Sequence, residues 1–161
     1  MQTNSPPPPD QILMQILMGK LLSRILTVAA NAGVADHLTD GPKSVAELAE
    51  KTGSNEDALY RVLRALSAAS VFTESGDRIF ENNEVSKLLV RNVQGSLLDM
   101  VRWINCKPAW DAWGHLDYSL ETGKPAFDEV FGKQVFEYFK DNQHIELMNK
   151  MLKAYAEVKD N

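Results

Sequence analysis

The chain has one cysteine, Cys106, so no internal disulfide can form and stability must come from a packed core. That usage fits a reducing compartment, and a cytoplasmic location is expected. Paired cysteine chelation is excluded on the same ground, and His37, His115 and His144 are scattered, so no metal site is expected. Glycine is present but never clustered: no two of the nine lie closer than eight positions, Gly33 and Gly41 being that pair. A P-loop or dinucleotide fingerprint needs clustered glycines so that the backbone can approach phosphates, and both are excluded.

Positive charge is also short, with 17 Lys and Arg against 22 Asp and Glu and a net charge of −5. Neither nucleic acid nor an anionic membrane is the expected partner, because both reward clustered cations. No unbroken apolar run spans a bilayer: the stretch from Ile12 to Val28 is interrupted by Gln15, Lys20, Ser23 and Arg24. The opening MQTNSPPPPD lacks a basic leader, and Pro6 to Pro9 favour an extended polyproline arm over residues 1–10. What remains, residues 11–161, suits one domain.

The first element is legible from spacing. Ile12, Leu13, Ile16, Leu17, Leu21, Leu22, Ile25 and Leu26 recur at helical intervals, with Asp10 as the expected N-cap. Met14, Met18 and Val28 widen the apolar surface, so this helix needs a cover. In a short chain a second copy is the economical one, which makes Ile12, Leu13, Ile16, Leu17, Leu21 and Ile25 the candidate dimer interface. An interior helix of the monomer is the alternative.

After Gly33 the signals are compact. Val34 to Leu38 reads as a short helix ending in an Asp40-Gly41-Pro42 turn. Ser44 and Glu47 form a capping box for a second helix, Thr52-Gly53 stops it, and Ser54 or Asn55 caps a third running to Ala69 with Leu59, Val62, Leu63 and Leu66 as its apolar face. Val71 to Glu74 and Arg78 to Glu81 flank a Ser75-Gly76-Asp77 turn as a β-hairpin. Three helices and a hairpin in this order predict a winged helix-turn-helix within a mainly α fold. The remainder reads as helices over 84–89, 95–105, 108–121, 134–140 and 143–157, with a broken turn at 125–131.

A winged helix first suggests a DNA-binding transcription regulator, and charge opposes it. Between Val34 and Val90 six basic residues face ten acidic ones, and the third helix opens with Glu56 and Asp57 where phosphates would lie. Arg61, Arg64 and Arg78 are the remaining candidate contacts. Cys106 has no oriented base to make it a nucleophile. The aromatic residues between Trp103 and Phe139 pack helices together in the plain reading. In the sharper one Trp103, Trp110 and Trp113 wall a pocket for a flat substrate, since such pockets are mostly apolar.

The ordered stretches GVADHL, VAELAEKTG, DALYRVLRAL, VFTESGDRIFENNEVSKLL, AWGHLDYSLETGKPAFDEVFG and FEYFKDN carry a family likeness. Together they resemble the N-terminal dimerisation domain of S-adenosylmethionine (SAM)-dependent O-methyltransferases, the class with plant phenolic, acetylserotonin and bacterial polyketide enzymes. The resemblance implies a homodimer with intertwined first helices, and apolar residues lent to the pocket of a small aromatic acceptor bearing a hydroxyl. It places SAM and the general base in a following Rossmann-like domain. There the base deprotonates the acceptor, whose oxygen attacks the methyl group in line. No position here matches a catalytic or cofactor-binding residue of the family, so none is carried over. The chain ends near the helix leading into that domain, so the expectation is a dimerising and pocket-lining unit without cofactor, not competent alone. A free-standing dimerising or small-molecule-binding module is the other expectation.

Overall fold

The computed structural model describes residues 7–140 and 145–159. Most of the proline arm and His144 lie outside them. The first helix, α1 (Pro9–Ala32), begins on an extended Pro8, and Pro9 fills the first turn, where a missing N–H costs nothing. Asp10 therefore sits inside the first turn and does not cap it; its carboxylate still meets the positive end of the helix.

Gly33 ends α1 in the left-handed region at φ 73° and leads directly into α2 (Val34–His37). Its missing Cβ is used. A Cβ at Gly33 would stand 2.9 Å from Nη2 of Arg91, whose own N–H donates to Asp36 Oδ1 at 2.7 Å and whose Nε is 3.1 Å from Asp36 Oδ2. Gly33→Ala is expected to cost about 1–2 kcal/mol, from left-handed strain, with displacement of Arg91 added to it. Urea denaturation measures it, and an unchanged midpoint would show that the turn relaxes freely.

A two-residue strand, β1 (Lys43–Ser44), precedes α3 (Val45–Thr52). The capping box forms as expected: Glu47 N–H donates to Ser44 Oγ, and the Glu47 carboxylate accepts from Ser44 N–H at 2.8 Å. The Ser44 hydroxyl, and then its backbone N–H, hold the Glu47 carboxyl below the usual carboxylate range. Gly53 closes α3 in the left-handed region, and the Asn55 side chain accepts from Ala58 N–H to open α4 (Glu56–Ala68). Strands β2 (Phe72–Gly76) and β3 (Ile79–Asn82) complete an antiparallel sheet in the order β1-β3-β2. The strand β1 has no periodicity to betray it. It exists because Lys43 and Ser44 pair with Phe80 and Ile79 of β3.

The core lies between these helices and the sheet. Val34, Val45, Leu48, Leu63 and Phe80 are completely buried, and Leu59 and Leu66 join them from the α4 face that the sequence marks as apolar.

A 3-10 turn (Ser86–Leu89) links this unit to six helices. They are α5 (Leu98–Ile104), α6 (Lys107–Trp113), α7 (Leu116–Thr122), α8 (Ala126–Phe131), α9 (Val135–Lys140) and α10 (Ile145–Lys159). The single helix expected over 108–121 is two, because glycine is a poor helix former and the chain turns at Gly114 and His115. Likewise α5 starts late, after Gly95 takes φ 77° and the Ser96 hydroxyl accepts from Leu98 N–H. Helix α5 is the centre of this part: it packs on α1 at one side and on α10 at another.

Candidate functional site

The N-terminal half of α1 leaves its apolar side chains in solvent. Residues 9–20 are exposed all round, and Ile16 and Leu17 keep 70% and 58% of their surface in solvent. Ile12, Leu13, Met14, Met18 and Leu21 are exposed as well. Ile25 differs from the other interface candidates, because it packs against the chain's own core.

The C-terminal half of α1 turns two faces toward its own chain: Ile25, Leu26 and Ala29 enter the core, and a polar stripe meets α5. Arg24 Nη1 donates to the carbonyl of Asn105 at 3.4 Å, and the buried Asn105 amide donates to Ser23 Oγ at 2.8 Å. The Thr27 hydroxyl bonds the Ser23 carbonyl and lies 3.4 Å from the Val101 carbonyl, while Arg102 Nε donates to Asn31 Oδ1 at 3.1 Å. Burying polar groups is tolerable only when they are paired, and here α5 and its C-terminal end supply the partners. Sequence reasoning missed this stripe. Its signal was the helical spacing of Lys20, Ser23, Arg24, Thr27 and Asn31.

The three candidate tryptophans go to three environments. Trp103 of α5 packs on Phe139 with ring centroids 4.5 Å apart. Trp110 of α6 lies under cations of α1, with Lys20 Nζ 4.9 Å and the Arg24 guanidinium 6.0 Å from its ring centroid. Trp113 is 65% exposed. Phe127, Phe131, Tyr138 and Phe139 form a ring cluster joining α8 to α9, the plain packing role. Leu116, Leu120 and Phe136, on α7 and α9, are exposed as well. Two clefts of about 630 and 550 Å³ are lined by other residues, not by the tryptophans.

Other candidates are otherwise engaged. Arg78, the hairpin's cation, donates to Glu56 and Asp57 at 3.0 and 3.2 Å and lies 4.5 Å over the Tyr60 ring. It neutralises the acidic start of α4 instead of pointing outward to a phosphate. Burial pushes the Cys106 thiol up, away from a reactive thiolate. His115 shares a hydrogen bond with the Asp111 carbonyl through Nδ1, and no group of three metal-ligating side chains occurs among the described residues.

Comparison with known proteins gives this arrangement its context. Residues 14–92 match the O-methyltransferase dimerisation domain family, a stretch that takes in most of α1, the sheet and the helices between. The chain carries an O-methyltransferase dimerisation domain.

The chain is 34% identical over 131 residues to the phenazine O-methyltransferase of Lysobacter antibioticus, covering 81% of the chain and 38% of that enzyme. Among solved structures it resembles LaPhzM with a TM-score of 0.87 and 31% identity, over 92% of this chain and 45% of that one. A methyltransferase of calicheamicin biosynthesis, solved with SAH bound, gives a TM-score of 0.78 at 30% identity over 91% and 44%. The chain thus spans less than half the length of the relatives it matches. The transcription-regulator alternative finds no support among them.

Proposed function

We propose that the domain holds two copies of a SAM-dependent small-molecule O-methyltransferase together through α1 and lends apolar residues to the acceptor pocket. The observation that carries this reading is the exposed apolar stripe of α1. A polar stripe stitches α1 to its own α5, and the apolar stripe from Ile12 to Leu21 is left for a second chain. Among the described residues α1 is also the one helix long and apolar enough to cross a membrane. A second copy is the better cover, because in a bilayer the exposed Gln15 amide and Lys20 ammonium would lose their water. Helices α2 to α4 with the hairpin serve as a winged-helix scaffold in a cytoplasmic protein, not as a nucleic-acid reader, since Arg78 is already paired.

The acceptor is a small aromatic molecule bearing a hydroxyl, in keeping with the phenazine named for one relative. We assign its wall on this side to aromatic and apolar side chains of the helical extension, with the exposed Trp113 as first candidate and Trp103 and Trp110 as the others. The methyl donor sits outside these residues, which offer no glycine-lined cradle for it.

Sedimentation equilibrium of the chain should give a two-fold dimer; a stable monomer at high concentration contradicts the reading. Calorimetry with SAM should give no saturable heat. Binding with a micromolar constant would place the donor site within these residues and overturn its assignment elsewhere.

A further inference from the structure

A cleft of about 630 Å³ opens between α10, α5 and the loop that leads into α5. Its walls bring together Arg91, Arg102, Lys150 and Lys153, with Asp99 in the lining and Asp36 beside Arg91, in a chain of net charge −5. The convergence follows from helical spacing. Asp99 and Arg102 share one face of α5, Lys150 and Lys153 share one face of α10, and the two helices pack together. Like charges gathered this way repel one another, and a bound anion removes that cost. Lys150 and Lys153 have no ion-pair partner among the described residues.

Both arginines are held from behind. Arg91 Nε lies 3.1 Å from Asp36 Oδ2, and Arg102 Nε donates to Asn31 Oδ1 at 3.1 Å, with its Nη1 a looser 3.6 Å from Asp99. The Nε hydrogen bond fixes the plane of Arg102 and leaves its η donors for another acceptor, whereas Arg91 is held to Asp36 by charge, with no hydrogen bond to Oδ2. Lysines on the opposite wall add charge without demanding one geometry. The volume is larger than a bare ion needs and falls in the range of small-molecule clefts.

We propose that this cleft binds a small organic anion, with Arg91 and Arg102 gripping a carboxylate or phosphate group and Lys150 and Lys153 closing over it. The assignment is independent of where the methyl donor binds and of what covers α1.

The test is calorimetric titration of the whole chain with phenyl phosphate, benzoate and inorganic phosphate at fixed ionic strength, with amide NMR shifts to locate each. Phenyl phosphate or benzoate should bind saturably and shift residues 91–102 and 150–153. Tighter binding of the first identifies a phosphate, and of the second a carboxylate. The double change Lys150→Gln and Lys153→Gln, at exposed positions that leave packing intact, should weaken binding about fivefold or more. Arg102→Lys keeps the charge but loses the fork, and should also weaken it. The paired change Lys51→Gln and Arg61→Gln, at exposed cations away from the cleft, should leave it unchanged. No saturable binding of either organic anion by about 10 mM overturns the proposal. Equal losses in the Lys51 and Arg61 variant, or inorganic phosphate binding as tightly as phenyl phosphate, overturn it too.

Discussion

Replacing Phe80 by alanine is expected to remove about 3–5 kcal/mol of stability, the largest loss from a single side chain in this domain. Phe80 is fully buried on β3, the middle strand, which is hydrogen-bonded to β1 on one side and β2 on the other. Its ring meets Tyr60 edge-on at 6.3 Å, joining the sheet to α4. A central strand paired on both edges cannot shift to fill the hole, so the cavity persists and the full cost is felt. Against a total stability of about 5–15 kcal/mol, that loss takes the chain close to its unfolding threshold. A melting temperature lower by about 10 °C is the corresponding thermal result. Circular dichroism through a urea titration checks both. A loss below about 1 kcal/mol would mean that the sheet melts separately from the helical core.

The double substitution Ile16→Glu and Leu17→Glu is expected to turn a dimer into monomers without unfolding them. Both side chains are exposed on α1 and touch little of their own chain. Covered by a second copy, each contributes about 1.5–3 kcal/mol. A two-fold interface uses every residue twice, so four side chains are removed at once. The sum is about 6 kcal/mol or more, which raises the dimer dissociation constant by about four orders of magnitude. Two carboxylates facing an apolar partner add a desolvation penalty in the same direction. Glutamate is a good helix former, so α1 itself should persist. Sedimentation velocity reads the first effect, and far-ultraviolet circular dichroism guards against trivial unfolding. A dimer that survives both changes has its contact elsewhere, and the apolar stripe of α1 is then not the interface.

Much of the fold was legible because its signals are local. The Ser44–Glu47 box and the Gly53 stop act within a few residues and form where the sequence puts them, and of Ser54 and Asn55 it is Asn55 that caps α4. The α4 face of Leu59, Leu63 and Leu66 follows from periodicity alone. Where local signals compete, the reading slipped: Pro8 and Pro9 took over the start of α1 from Asp10, and Gly114 split a helix that its aromatic periodicity joined. The strand β1 could not be read at all, because a two-residue strand is defined only by the neighbour that pairs with it.

The candidate site divides in the same way. That α1 carries an apolar surface wanting a cover is in the sequence, as is the scarcity of cations that argues against a nucleic-acid partner. Tertiary structure decided what the polar stripe of α1 meets: Asn105 reaches Ser23 and accepts from Arg24, contacts across 82 and 81 positions of chain. It also parted the three tryptophans, sending Trp110 under Lys20 and Trp103 onto Phe139, and it gathered Arg91, Arg102, Lys150 and Lys153 into one cleft. Caps and helical faces follow from bonds a few residues long; a charge cluster or a buried polar seam depends on which distant helices pack, and only the folded chain sets that.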